Sequence, residues 1–126
     1  NLFYTPKNND IVVFQSPDSG IKGGIVKRVI ATAGQTVDID FDTWTVTVDG
    51  VALDESYVNY EDGTVMRSFD VTFPLTVPEG YVFVMGDNRN HSNDSRGSQI
   101  GCVDTRFIFG HVLFRVTPLS RFGTIG

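Results

Sequence analysis

The loop Gly86–Gly97, with the sequence GDNRNHSNDSRG, concentrates side chains that can do chemistry. It holds two Asp, three Asn, two Arg, two Ser and one His, between the apolar stretches YVFVM and FIFGHVLFRV. Carboxylates and hydroxyls suit acid–base or nucleophilic chemistry, and arginines bind carboxylates and phosphates. Asn, Asp, Ser and Gly are also the ordinary residues of turns. The residue types alone leave catalysis, metal binding, phosphate binding and a plain polar connection open.

Spacing argues against several of these alternatives. A calcium loop needs oxygen ligands at alternate positions, but the alternate positions after Asp87 carry Arg89 and His91. A phosphate-binding loop needs spaced glycines and the start of a helix, and neither is evident. His91 has no partner cluster, and His111 lies in an apolar stretch that favours a structural histidine. We therefore expect no metal ion and no cofactor, and a His-based triad has little support.

A second candidate is the lysine in the apolar stretch GIVKRVI. In a strand, Lys27 shares a face with Ile25 and Val29, while Arg28 faces the other way. A buried lysine loses its proton because burial penalises the ammonium, whereas arginine stays charged in any protein environment, so Lys27 is the candidate general base. From this stretch alone, the simplest interpretation is an edge strand from which both charged side chains reach water.

Taken together, the lysine and the loop resemble the type I signal peptidases, serine proteases that remove signal peptides from exported proteins with a Ser/Lys dyad. The last conserved box of that family reads Gly-Asp-Asn-Arg-x-x-Ser-x-Asp-Ser-Arg. Its fixed positions are met by Gly86, Asp87, Asn88, Arg89, Ser92, Asp94, Ser95 and Arg96. NDIVVF and VKRVIATAGQTV resemble two further boxes, with Asn9 where Gly is usual and Gln35 where Asp is common. The resemblance covers roughly residues 9–38 and 81–116.

The resemblance implies a role for each matching residue. Lys27 is similar to the general base that takes the proton of the serine nucleophile, and Ser92 matches the serine whose hydroxyl orients that lysine. Ile25 and Val26 lie on the strand that runs beside the substrate in relatives and lines pockets for small side chains. The polar support of the site is implied for Asp87, Arg89, Asp94 and Arg96.

One element of the family pattern is missing from this sequence. The nucleophile of the family lies in a Ser-Met-x-Pro segment upstream of the DIVVF strand, and the 126 residues contain no such segment. We therefore expect a truncated chain that is inactive by itself. In the intact enzyme, an upstream membrane segment and the nucleophile would complete a catalytic domain on the extracytoplasmic side of a bacterial cell membrane, with signal peptides of exported preproteins as its partners.

Alternation and short β-branched stretches predict an all-β fold. In TWTVTVDGVAL, Trp44, Val46 and Val48 share one face, and Asp49-Gly50 suits a tight hairpin turn. The chain is predicted to be a single catalytic-type domain, with a core from 1–39 and 79–118 and a smaller inserted β-subdomain at about 40–78. Predicted strands are 10–15, 24–31, 36–41, 43–48, 51–55, 67–73, 81–86 and 107–116.

Composition bounds the remaining alternatives. A net charge of −5 argues against nucleic-acid binding, because phosphate contacts need clustered Lys and Arg. The single cysteine, Cys102, excludes an internal disulfide and reads as a small buried residue. Two other functions stay open: a self-cleaving repressor-type Ser/Lys peptidase, and a non-catalytic extracellular β-binding domain that uses the loop and Trp44.

Overall fold

The computed structural model describes residues 5–16, 20, 23–56, 58 and 63–111. Within these residues the fold is all-β, as predicted, with two antiparallel sheets and no α-helix. Two single turns of 3-10 helix, Arg89–His91 and Thr105–Phe107, are the helical elements described. The strands are β1 Ile11–Phe14, β2 Ile25–Thr32, β3 Thr36–Asp40, β4 Thr45–Val48, β5 Val51–Ala52, β6 Leu75–Thr76, β7 Tyr81–Met85, β8 Val103–Asp104 and β9 Ile108–His111.

The larger sheet has the order β8-β7-β2-β1-β9, so β2 lies at its centre. The edge-strand interpretation of GIVKRVI is therefore wrong. Lys27 pairs with Val12 of β1, and Arg28 lies between Ile11 of β1 and Met85 of β7. Both charged side chains are buried, with 3% and 1% of their surface exposed. Alternation within one strand could not reveal this, because the neighbouring strands and the polar partners come from distant parts of the chain.

The smaller sheet has the order β5-β4-β3-β6 and contains the predicted hairpin. Asp49 and Gly50 have φ angles of 52° and 82°, which is the left-handed turn conformation expected of an Asp-Gly hairpin. Trp44 has φ 64° and precedes β4 rather than belonging to the predicted strand 43–48, and its side chain is buried. Its indole N–H donates to the carbonyl of Thr64 at 2.9 Å. The division into a core and an inserted subdomain stays a prediction.

Two apolar clusters fill the fold. One lies on the face of the larger sheet that carries Lys27 and is built from side chains such as Val12, Phe14 and Ile25. The other joins the smaller sheet to the opposite face through residues such as Ile30 and Phe83. The central strand β2 thus separates two cores, and Lys27 and Arg28 point to opposite faces of the sheet.

The strand prediction fails at 67–73, which has no regular structure. The reason is that this segment hydrogen-bonds to the polar loop instead of to a strand: Val71 donates to the carbonyl of Arg96, and the carbonyl of Arg67 accepts from the Arg96 side chain. The short strands β6 and β8 were not predicted, since two residues carry no periodic signal. Residues 112–116 of the last predicted strand lie outside the described residues. Cys102 is half-buried, rather than fully buried.

Candidate active site

The side chains of Lys27 and Ser92 are in contact on one face of the larger sheet. The amine Nζ of Lys27 donates to Oγ of Ser92 at 3.0 Å, and both residues are buried. Lys27 is carried by the central strand β2, whereas Ser92 follows the single 3-10 turn that interrupts the loop after β7. The β strand holds the backbone of Lys27 rigidly, and the turn brings the hydroxyl of Ser92 into contact with its amine.

Burial lowers the pKa of Lys27 below its ordinary value near 10.5, because the apolar surroundings disfavour the ammonium. The nearby charges partly oppose one another. Asp94 and Asp87 act to raise the pKa, while the guanidinium of Arg96 acts to lower it. A larger share of neutral amine at moderate pH is the chemical consequence, and a neutral amine can accept a proton.

Asp94 is the centre of the loop's hydrogen bonding. Its carboxylate accepts from the backbone N–H of Gly86, the hydroxyl of Ser92, and the backbone N–H, Nε and Nη2 of Arg96. Burial acts to raise the pKa of Asp94, but the hydrogen bonds and charge of Arg96 outweigh it and hold that pKa below the usual value. The carboxylate therefore stays ionised and fixes the Ser92 hydroxyl as a donor.

Arg28 and Asp87 form a second ion pair on the other face of β2. Nε and Nη2 of Arg28 donate to the two carboxylate oxygens of Asp87 at 2.9 and 2.8 Å, which is the bidentate geometry that arginine favours. Nη1 of Arg28 also donates to Oδ1 of Asn9 at 3.1 Å. The pair ties the start of the loop to the central strand, immediately beside Lys27.

Arg89 forms a third ion pair, which the sequence did not predict. Its Nη2 lies 2.6 Å from Oε2 of Glu55, a carboxylate from the segment after β5, and both side chains are buried. Its Nε donates to the carbonyl of Gly86 at 2.8 Å. Nη1 of Arg89 has no hydrogen-bond partner among the described residues. Glu55 gave no signal in the sequence because it matches no motif of the loop and lies thirty-four positions from its partner.

The segment 65–71 covers the outside of the loop. Nη1 of Arg96 donates to the carbonyl of Arg67 at 2.8 Å, and the ring of Phe69 lies 5.2 Å from the Arg96 guanidinium. The Phe69 ring also occupies the space above Gly97, where a side chain would meet it at 3.3 Å. Asn90 of the loop bonds back to this segment, accepting from the backbone N–H of Arg67 at 2.6 Å. The covering segment excludes water from the ion pair of Asp94 and Arg96.

Ile25 and Val26, the two predicted substrate-binding residues, have different environments. Ile25 is buried in the apolar cluster beside Lys27, whereas Val26 points to the opposite face and is 36% exposed. On the β7 side, pairing with β2 begins only at Arg28. Within the described residues, the edge of β2 from Ile25 to Lys27 therefore carries no strand partner on that side. An extended peptide can form backbone hydrogen bonds along such an edge.

The structure thus brings together the predicted residues Lys27, Ser92, Asp94 and Arg96 in one hydrogen-bonded chain. Asp87 and Arg89 lie at the start of the same loop, each in an ion pair of its own. In the part of the chain that the structure describes, no cluster of three metal-ligating side chains is present. No helix within that part is long and apolar enough to cross a membrane.

Comparison with known proteins gives the family. A family model described as "Signal peptidase, peptidase S26" matches residues 2–117. The chain is 40% identical to the probable signal peptidase I-1 of Synechocystis sp. over 131 aligned positions, covering 98% of this chain and 61% of that protein. It is 34% identical to the mitochondrial ATP-independent inner membrane protease subunit 1b of Arabidopsis thaliana, covering 98% and 58% of the two chains.

A solved structure agrees with these matches. The chain is similar to a signal peptidase I from Enterococcus faecalis, with a TM-score of 0.70 and 32% identity, covering 86% of this chain and 97% of that one. An all-β scaffold that holds a buried lysine against a serine of this box defines a signal peptidase-type domain. The chain belongs to the signal peptidase family, peptidase S26. This assignment favours the signal peptidase reading over a repressor-type peptidase or a β-binding domain. The chain spans less than two thirds of the length of the curated relatives described above.

Proposed function

We propose that the complete protein is a serine endopeptidase that removes N-terminal signal peptides from exported preproteins, with Lys27 as its general base. The observation that carries this proposal is the contact of 3.0 Å between Nζ of Lys27 and Oγ of Ser92, in surroundings that lower the pKa of the lysine. Family membership and the names of the relatives support the same reaction.

The hydrogen-bond directions suit Lys27 to act as a base. Because Ser92 donates its hydroxyl proton to Asp94, it can only accept a hydrogen bond from Lys27. One N–H of the neutral amine is thereby fixed, and the nitrogen lone pair remains available to the hydroxyl of a nucleophile. Lys27 would accept that proton during formation of the acyl-enzyme and would later activate the water that hydrolyses it.

The open edge of β2 is the proposed binding site for the substrate backbone. An extended preprotein segment would pair with Ile25–Lys27, where β7 no longer does, and its scissile carbonyl would then lie beside Lys27. Ile25 is the proposed wall of a shallow pocket. A shallow apolar pocket admits alanine and excludes bulky side chains, which favours small residues before the cleavage site.

The proposed place of action is a membrane, since exported preproteins emerge there and one relative is named as an inner membrane protease. We propose the extracytoplasmic side of a bacterial cell membrane. The nucleophilic serine would come from a Ser-Met-x-Pro segment, which these 126 residues do not include. The chain by itself is accordingly expected to cleave no preprotein.

The test is cleavage of a preprotein with alanine before its cleavage site by the complete protein and its Lys27→Met variant. We expect the variant to lose at least about 1,000-fold in kcat/KM, because the nucleophile loses its base. Lys7→Met is the matched control: Lys7 is an exposed lysine, and this variant is expected to cleave at the parental rate.

Activity should also fall as pH decreases through the lowered pKa of Lys27, since the protonated amine cannot accept a proton. Retention of full activity by Lys27→Met, or a rate that does not change between neutral and acidic pH, would overturn the assignment of the base.

A further inference from the structure

We propose that Glu55 is a positioning residue of the site, which acts through Arg89 to hold the loop 86–97 against Lys27. Its carboxylate comes from the segment that follows β5, a strand of the smaller sheet, and lies 2.6 Å from Nη2 of Arg89. The inference rests on the proposed function only in giving the lysine a catalytic task. The physical coupling from Glu55 to Lys27 can be measured without that task.

Arg89 connects Glu55 to the rest of the loop by its side chain and its backbone. Its Nε donates to the carbonyl of Gly86, which closes the first turn of the loop upon itself. Its own carbonyl accepts from Nη2 of Arg96 at 2.7 Å. The same Nη2 of Arg96 donates to Asp94, whose carboxylate accepts from Ser92. A continuous series of hydrogen bonds therefore runs from Glu55 to the hydroxyl that contacts Lys27.

The charge balance makes Glu55 hard to replace. Arg89 is fully buried, and a buried guanidinium is tolerated only where an anion and hydrogen bonds offset its loss of water. Nη1 of Arg89 already has no partner among the described residues. Without the Glu55 carboxylate, the carbonyl of Gly86 would be the one hydrogen-bond acceptor of the Arg89 side chain that the structure shows, so Arg89 would move toward water and displace the loop.

Displacement of the loop would admit water to Lys27. The charged groups near this amine within the described residues are Asp94, Arg96 and Asp87, all of the loop, and burial is the largest influence on its protonation. Loosening the loop would therefore return the lysine toward its ordinary behaviour. The segment that follows β5 would then be more than a connection, because it supplies the anion that keeps the loop closed.

The test uses the complete protein with Glu55→Gln, which keeps the shape and removes the charge, and Glu55→Asp, which keeps the charge and shortens the side chain. Asp54→Asn is the matched control, since Asp54 is an exposed carboxylate next in the chain. Acetylation of Lys27 by acetic anhydride, followed across pH by peptide mass spectrometry, gives the midpoint of its titration. We expect Glu55→Gln to raise that midpoint by about one pH unit and Asp54→Asn to leave it unchanged.

Kinetics provide the second measurement. We expect Glu55→Gln to lower kcat about tenfold, with KM changed less than about twofold, because the base is misplaced while the open edge of β2 is intact. Glu55→Asp should recover part of the loss. Circular dichroism and the thermal midpoint establish that each variant is folded at the assay temperature. If Glu55→Gln unfolds there, Glu55→Asp alone is measured.

The two proposals can fail separately. If Lys27→Met is fully active but Glu55→Gln still shifts the Lys27 midpoint, the proposed base is wrong and the positioning role of Glu55 stands. If folded Glu55→Gln and Glu55→Asp both keep the parental midpoint and kcat, Glu55 does not position the loop and this inference is overturned.

Discussion

Nζ of Lys27 lies 3.0 Å from Oγ of Ser92, although the two residues are sixty-five positions apart in the chain. The contact joins the central strand of one sheet to a loop that is held by three ion pairs, those of Asp87, Asp94 and Arg89. Such a buried amine carries a cost in stability, because folding removes it from water. Function and stability therefore make opposite demands at this position.

Replacing Lys27 by methionine should stabilise the complete protein at neutral pH. The folded pKa of Lys27 is lowered, so the unfolded chain binds the proton more tightly and the buried amine reduces the free energy of unfolding. The stability of the parent should consequently rise with pH from the lowered folded pKa toward 10.5, the ordinary value. We expect Lys27→Met to add about 1 kcal/mol at pH 7 and to weaken this rise. Urea denaturation at several pH values measures both, and a less stable Lys27→Met protein would contradict the argument.

Replacing Asp94 by asparagine should destabilise the protein strongly. The change would leave Arg96 buried without its anion, and loss of one partner of a buried ion pair costs about 3–5 kcal/mol. The pKa of Asp94 is lowered, so its contribution is present at neutral pH and is lost as pH falls through the folded pKa, below 3.8. Urea denaturation of Asp94→Asn, beside the exposed-site control Asp42→Asn, gives the difference. Equal stability of the two variants would refute a structural role for this carboxylate.

Asn9 should tolerate glycine better than alanine. Its φ of 77° lies in the left-handed region, where a Cβ costs about 1–2 kcal/mol unless the residue is Gly, Asn or Asp. Glycine is the residue expected here from the family resemblance, and Asn9 retains the backbone conformation while adding an acceptor for Arg28. We expect Asn9→Ala to lower the free energy of unfolding by about 1 kcal/mol more than Asn9→Gly does, measured by thermal and urea denaturation. Because both variants lose the side-chain contact with Arg28, the reverse order of stability would contradict the backbone argument.

Gly97 should be sensitive to the smallest side chain. A Cβ at this position would meet the ring of Phe69 at 3.3 Å, a distance at which the ring must shift. We expect Gly97→Ala to lower the free energy of unfolding by about 1–3 kcal/mol, through displacement of the ring from Arg96. Phe69→Leu in the same protein should recover part of the loss, since the smaller side chain leaves room. Additive effects of the two changes would mean that the ring does not contact position 97.

The loop and the lysine could be selected from the sequence because their information is local. Eight fixed positions of the box lie within eleven residues, and the hairpin turn at Asp49-Gly50 follows from the conformational freedom of its residues. The all-β class followed from alternation in the same way. Each of these features depends on neighbours within a few positions, which a single sequence displays directly.

Burial and partnership were decided only by the tertiary structure. Lys27 and Arg28 resemble side chains of an edge strand when only the local sequence is considered, yet β2 lies at the centre of the larger sheet and both side chains are buried. Residues 67–73 have the composition of a strand, but the backbone N–H of Val71 and the carbonyl of Arg67 bond to Arg96 of the loop. Glu55 carries no motif, and its role as the anion of Arg89 exists only after the two sheets are assembled. Long-range contacts set the solvation of each charge, and solvation determines whether a lysine is a surface cation or a base.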